Sequence, residues 1–299
     1  MQKKPFTMLT LPTVKNSQQI IKKFPFPVEL TKGKYRDIGI TIHNSIAKIT
    51  HNGLPVKDFS FVWLSSGWDQ RDIAYAVSLY LQFTKTPHSY AEKNSSKVTD
   101  CMVFAINDLP MPDTVFISRK SIEKNISLLK EVCGFPLIIK DIRGCQGKHS
   151  AYAANEKELL EKMEELPKSK NFLFQRFIAN EYDWGIVIAN GVIVAGEKRY
   201  HSDGEFRNNI CNGAEEYFIP IAEIPQEIKK IAIKASGLLG LSWSRADIII
   251  DKITEKPYLL EVNRFPGITS ESVEVTGAYT FLASHIIPEK FFKKIFNIK

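Results

Sequence analysis

Cysteine is scarce in this 299-residue chain: Cys101, Cys133, Cys145 and Cys211 are four in number and show no CxxC spacing. Neither a zinc site nor a disulfide framework is indicated, and a reducing compartment is expected. No apolar run reaches the roughly 18 residues of a membrane helix, and Pro5, Thr7, Thr10 and Pro12 break up any leader-like segment behind Lys3 and Lys4. A cytoplasmic location without a membrane partner is therefore predicted. Long basic runs are missing too. The formal net charge is +7, but lysines come in ones and twos without the aromatic spacing of RNA-binding sheets, so an anionic substrate rather than a nucleic acid is expected. His43, His51, His88 and His285 lack partner spacing, and His149 and His201 stand alone in loop segments. No Ser-His-Asp or Cys-His arrangement of nucleophilic catalysis is recognisable. Walker A and GxGxxG sequences are absent, as are internal repeats and low-complexity segments.

What is present is concentrated in one hairpin. Arg245-Ala-Asp-Ile-Ile-Ile-Asp251, a short turn and Tyr258-Leu-Leu-Glu-Val-Asn-Arg-Phe-Pro-Gly267 read as two paired strands. Strand side chains alternate faces, so Glu261 and Asn263 share one side while Leu260 and Val262 share the other. Setting Asp247 opposite Glu261 or Asn263 centres the pairing inside Thr254-Glu255-Lys256-Pro257, where the chain has to turn. Two carboxylates and an amide, with no His or Cys, suit a hard cation, and magnesium held by few protein ligands normally brings substrate phosphates with it. The same spacing also describes a hairpin with one solvated polar face.

The rest of the chain reads as mixed α and β structure. Asp37 to His43 and Ser45 to Thr50 flank Asn44 as a hairpin, Phe59 to Leu64 reads as a buried strand, and Asp69 is placed to cap a helix whose inner face is Ile73, Ala76, Val77, Tyr80 and Leu81. A helix over Lys97 to Asn107 ends at Leu109-Pro-Met-Pro112, and the pattern resets at Thr114. A helix stopped by Gly134, a strand at Pro136 to Lys140, an Asn155-capped helix and strands at 172–177 and 184–188 follow. Asn190-Gly191 turns the chain into Val192 to Ala195, and Gly240 ends a helix from about Pro225. Three units are expected: an N-terminal α/β domain over 1–112, a central subdomain over 113–178 and a C-terminal subdomain over 179–299.

Lys140 ends a strand directly before Asp141-Ile-Arg-Gly-Cys-Gln-Gly-Lys-His149, where glycines let backbone amides close over phosphate oxygens. Further on, Glu205-Phe-Arg-Asn-Asn-Ile-Cys-Asn-Gly213 sets an arginine beside two amides, a combination that can hold a transferring phosphoryl group, with Lys198 and Arg199 as the nearest upstream cations. Each stretch alone is also an ordinary polar loop. Their order is what counts.

In that order, from about Asn94 to Leu282, the chain resembles the ATP-grasp ligases, nearest the RimK-like branch that includes ribosomal-protein glutamate ligases. The resemblance implies an ATP-grasp fold of the α/β (α+β) class, whose two α+β subdomains clamp ATP. It also implies roles. Lys97 and Lys140 would contact phosphates, and Gly144, Gln146 and Gly147 would belong to the covering loop. Gln175, Arg176, Phe177 and Ile178 would read the adenine edge through the main chain. Asp183, with Glu181 as its rival, would bind ribose. Arg207 and Asn209 would face the phosphates as the catalytic pair, and Asp247, Glu261 and Asn263 would hold magnesium, for which manganese could substitute. Thr276-Gly277 is similar to the closing helix signature. The implied activity is an ATP-dependent carboxylate–amine ligation through an acyl phosphate on an amino acid or peptide; phosphotransfer without ligation, or a non-catalytic nucleotide- or peptide-binding module, are the other outcomes.

Departures from the family pattern cluster by location. Arg176 stands where relatives have Glu, Gly185 where an arginine follows the ribose acid, and Tyr200 where a second arginine of a pair is found. Arg143, Lys148, Arg245 and Arg264 are basic where glutamate-adding relatives are neutral or acidic. They suggest an acidic substrate met on the acceptor side, Arg264 in particular.

Overall fold

A computed structural model describes residues 5–90, 92–93, 95–144, 148–200 and 214–288. The chain opens with β1 (Phe6–Leu11), the centre of a parallel sheet between β2 (Val28–Lys32) and β6 (Phe61–Leu64). Every residue of β6 is buried, as an unbroken apolar run in a covered parallel sheet should be. Between them β3 (Ile38–His43), β4 (Ile46–His51) and β5 (Leu54–Pro55) form an antiparallel ribbon. Its turn places Asn44 and Ser45 at φ 47° and 61°, the positive values that a tight hairpin needs.

Helix α2 (Arg71–Phe83) departs from expectation at both start and face. Gln70, not Asp69, is the N-cap, and its side chain makes no capping bond. The buried face is Arg71, Ala74, Val77, Ser78, Tyr80 and Leu81, so Val77, Tyr80 and Leu81 lie where expected while Ile73 is exposed. The guanidinium of Arg71, stacked 3.4 Å above the ring of Trp68, sets the rotation of the first turn.

The central unit holds β7 (Thr114–Phe116), α4 (Ile126–Val132), β8 (Leu137–Asp141), β9 (Ser150–Ala153), α5 (Glu156–Glu165) and β10 (Phe172–Arg176). Its antiparallel sheet runs β7-β10-β8-β9 over a core that includes Leu129, Leu137, Ile139, Leu159 and Phe174. Gly134 ends α4 at φ 67°, and the Asn155 side chain accepts from the Glu158 amide at 3.0 Å to start α5.

The C-terminal unit is a five-stranded antiparallel sheet, β13-β12-β11-β14-β15, built from β11 (Tyr182–Ala189), β12 (Val192–Tyr200), β13 (Glu215–Phe218), β14 (Trp243–Ile250) and β15 (Pro257–Asn263). One face, with Trp184, Ile186, Ile188, Ala246 and Ile248, packs on Ile228, Ile231 and Ala235 of α6 (Gln226–Leu238). Phe104 of α3 (Lys97–Ala105) joins the same cluster. At one end of the opposite face Val187, Ala189 and Ala195 pack on α7 (Val273–Ile286), in a core that continues to Met8, Phe61 and Trp63 of the first sheet. A Cβ on Gly277 would stand 2.7 Å from Val194, so α7 approaches β12 at a distance only glycine permits. Toward the other end of that face the strands carry Asp183, Glu197, Arg199 and Asp247.

Candidate active site

The hairpin of β14 and β15 sets Asp247 directly opposite Glu261, and Arg245 opposite Asn263. The register slips after Asp247, where Ile248 pairs with Leu259, so Leu260 is an extra residue on β15. The strict alternation expected from sequence fails there. Leu259 and Val262 enter the core together, and Leu260 lines a cavity beside Glu261. Asn263 Nδ2 donates to Asp247 Oδ2 at 2.7 Å, and Lys97 Nζ donates to Glu261 Oε2 at 2.5 Å. Burial raises the Glu261 pKa, but the Lys97 and Lys140 ammonium groups outweigh it and hold the carboxyl well below the usual range. Two carboxylates and one amide oxygen in direct register fit a hard divalent cation whose remaining ligands come from phosphate and water. Among the described residues no group of three or more His, Cys, Asp and Glu side chains suits a metal.

Asp247 is one corner of a larger buried network. Arg199 Nε and Nη2 donate to Asp183 Oδ1 and Oδ2, and Nη2 donates to Asp247 Oδ1, all at 2.8 Å. Register explains the convergence: Asp183 pairs with Arg199, and Gly185 lies between Glu197 on one side and Asp247 on the other. Arg245 Nη1 donates to Glu197 Oε1 at 2.9 Å, with Asp247 3.6 Å and Glu274 3.9 Å away. Glu197 Oε2, Glu216 Oε1 and Glu274 Oε1 are buried without a hydrogen-bond partner among the described residues. Burial pushes Glu197 up to about 8 against the pull of Arg245, and burial with neighbouring Glu197 pushes Glu274 up to about 7. Asp183 rises to about 7 through burial, with Arg199 opposing and Asp247 assisting.

The cavity is lined by Trp68, Lys97, Lys140, Gln175, Leu260 and Glu261 among others. Lys140 Nζ donates to Gln175 Oε1 at 2.6 Å, and Gln175 Nε2 donates to Thr114 Oγ1 at 2.9 Å. Burial lowers the Lys140 pKa while Glu261 opposes the shift. The two expected phosphate lysines and the hairpin glutamate therefore meet at one opening.

Other expected positions distribute unevenly. The amides of Arg176 and Phe177 are spent on the carbonyls of Asp113 and Pro136 at 2.9 and 3.3 Å, the Arg176 guanidinium is 3.6 Å from Asp113, and Ile178 is buried. Glu181 is exposed and paired with Lys252 at 2.9 Å. Asp183 is 5% exposed and both its oxygens accept from Arg199, which leaves it turned into the sheet face rather than toward a ribose. Gly144 is required where it stands, since a Cβ would meet Lys148 O at 2.8 Å. Gln146, Gly147, Arg207 and Asn209 lie outside the described residues.

Of the four basic residues expected to meet an acidic substrate, Arg264 is buried on Asp100 and Arg245 on Glu197, whereas Lys148 is exposed and Arg143 lies 3.6 Å from Asp72 near the surface. Sequence reasoning passed over Glu197, Glu274 and Asp141. Asp141 organises the loop after β8, accepting from the Arg143 amide at 2.9 Å with His149 at 3.3 Å and Lys170 at 3.6 Å. Its signal was the acid directly after Lys140 at a strand end.

A five-stranded sheet carrying the Asp247–Glu261 hairpin, a smaller sheet carrying the half-buried Lys140, and a cavity at their junction match the ATP-grasp architecture. Solved structures agree on the fold: D-alanine–D-alanine ligase from Bacillus anthracis complexed with ATP superposes with TM-score 0.69 at 18% identity, covering 97% of this chain and 98% of that one. The ATP-grasp ligase PsnB complexed with minimal precursor gives 0.63 at 15%, covering 92% and 98%. A sequence profile of the RimK-like ATP-grasp domain matches residues 94–284, and the chain belongs to that family. A probable alpha-L-glutamate ligase of Parasynechococcus marenigrum is 33% identical over 203 residues, 66% of this chain and 41% of that protein. One from Vibrio atlanticus is 30% identical over 179 residues, 59% and 57%. The matched part thus spans about half the length of these relatives. No helix among the described residues is long and apolar enough to cross a membrane.

Proposed function

We propose that the protein is an ATP-dependent carboxylate–amine ligase acting on an amino acid or peptide in the cytoplasm. The observation that carries this reading is the register of Asp247 with Glu261, which brings two carboxylates together beside Asn263, with Glu261 on the wall of the cavity that Lys97 and Lys140 also line. Asp247, Glu261 and Asn263 would hold magnesium, which when bound neutralises charge on the phosphates during transfer. Lys140, fixed by Gln175 at the cavity wall, presents a point charge to a phosphate oxygen. Lys97 reaches the same phosphates once it leaves Glu261. Trp68 and Leu260 give the opening apolar walls that exclude water from an acyl phosphate. Arg207 and Asn209, by resemblance, stabilise the phosphoryl group as it moves to the substrate carboxylate; the amine then forms the C–N bond as phosphate departs. Glu181, exposed beside the sheet, is better placed than Asp183 for a ribose hydroxyl. The division at 1–112, 113–178 and 179–299 accompanies this assignment.

The test is ADP release across pairs of carboxylates and amines, amino acids and short peptides included, with the product weighed. Release above background for one pair, with one phosphate per ADP and a condensed product, is expected. A stable phosphorylated product, or magnesium-ATP binding without turnover for any pair, overturns the reading.

A further inference from the structure

Arg264 follows Asn263 on the metal hairpin, and the structure turns it away from solvent. Its Nη1 donates to Asp100 Oδ2 at 2.8 Å and its Nη2 to Asp100 Oδ1 at 3.0 Å, while Nη2 also donates to Ser95 Oγ at 2.8 Å. Asp100 lies in the first turn of α3, Ser96 is the N-cap of that helix, and Lys97 is its first residue. The guanidinium fork therefore grips the turn from which Lys97 projects. Two other ties hold it. Arg71 Nη1 donates to the Ser95 carbonyl and hydroxyl at 2.8 and 2.7 Å, and the Lys97 amide donates to the Ile142 carbonyl at 3.0 Å. The turn is anchored to the metal hairpin, to the N-terminal unit and to the loop after β8.

With its backbone anchored, Lys97 has only a side chain to move. That side chain lies 4.4 Å from the Trp68 ring centroid and ends on Glu261. A half-buried carboxylate beside a second one is costly without a cation, and the ammonium meets that need. Resting on the ligase reading, we propose that Arg264 is a positioning residue: its fork to Asp100 and Ser95 sets the first turn of α3 so that the Lys97 ammonium holds the cation position at Glu261, one swing from a nucleotide phosphate. A planar two-pronged donor fixes both distance and orientation, which a lysine at 264 cannot do.

The experiment measures binding of magnesium-ATP and of adenosine by calorimetry on the full chain, with melting temperature alongside. Replacing the buried pair with apolar side chains, Arg264→Met with Asp100→Leu, removes both charges together and keeps the fold. The double variant is expected to melt within a few degrees of the parent, to bind adenosine as the parent does, and to bind magnesium-ATP about tenfold more weakly. Arg264→Lys, which keeps the buried charge, is expected to weaken magnesium-ATP several-fold with adenosine unchanged, and it decides the matter if the double variant fails to fold. Unchanged magnesium-ATP affinity, or equal loss for adenosine, overturns the inference and leaves the ligase reading standing. A parent chain that binds no magnesium-ATP overturns both.

Discussion

Arg264 and Arg199 are both buried beside the hairpin of β14 and β15, yet they sit in opposite charge balances. Arg264 forks onto a single carboxylate, Asp100. Arg199 has Asp183 and Asp247 at 2.8 Å and Glu197 at 3.7 Å, and the next guanidinium, Arg245, shares Glu197 and Asp247 and adds Glu274. Four carboxylates thus surround two guanidinium groups on the sheet side. Burial, with Asp247, Glu216 and Glu197 as the respective acidic neighbours, pushes Asp183, Glu197 and Glu274 up to about 7, 8 and 7, whereas Asp100 and Glu92 raise the Arg264 pKa against the lowering effect of burial. A balanced buried pair fixes geometry; a surplus of one sign is prepared to receive the other.

The sharpest way to break this contrast is to remove one carboxylate from each side. Asp247→Asn takes one acid from a set that has spares, so folding stability should stay within about 1 kcal/mol. ADP release should fall on the order of 1,000-fold, the equivalent of several kcal/mol of lost metal stabilisation. Asp100→Asn strands the Arg264 charge and should cost about 3–5 kcal/mol in urea unfolding. Equal stability losses would show that the two sides do not differ.

A smaller perturbation acts through Gly185. A Cβ there would stand 2.3 Å from Glu197 Oε1, so Gly185→Ala must push the Glu197 carboxylate off Arg245. Overpacking of this kind costs about 1–3 kcal/mol. Adding Glu197→Ala to it should recover part of the loss; no recovery would place the strain elsewhere.

Residue pattern made some of this architecture legible and hid the rest for physical reasons. Period-two alternation and the Thr254-Glu255-Lys256-Pro257 turn located the hairpin, and Asp247 opposite Glu261 was one of the two registers considered. The bulge at Leu260 carries no Gly or Pro and left no mark. Arg199 and Glu197 alternate along β12, but their meeting with Asp247 depends on the order β12-β11-β14, which a single chain does not display. Arg264 was visible as an unusual charge; its partner Asp100 is 164 residues away, so its burial was not. The face of α2 was legible at Val77, Tyr80 and Leu81, but Arg71 was not, because a buried arginine does not register as apolar.

Lys97 gives a test with two opposite signs. If its ammonium occupies the cation position at Glu261, Lys97→Met should tighten binding of manganese alone, followed by electron paramagnetic resonance, while weakening magnesium-ATP about tenfold. Both affinities falling together would mean that Lys97 serves only the phosphates.

The mildest effect concerns pH, and its sign follows from the surplus. Glu197 and Glu274 titrate near 8 and 7 in the fold and in the ordinary carboxylate range when unfolded. Between those limits the folded chain binds more protons, so stability is fully present below about pH 4 as far as these groups are concerned and declines as pH rises toward 8. Glu197→Gln keeps an acceptor for Arg245 and removes one titrating group, so the decline in unfolding free energy between pH 5 and pH 9 should become shallower. The same substitution at the exposed Glu181, whose pKa its Lys252 partner lowers, should leave the slope over that interval unchanged. An unaltered slope in Glu197→Gln would remove the buried Glu197 carboxyl as the source of the retained proton, and with it part of the difference between the two arginines.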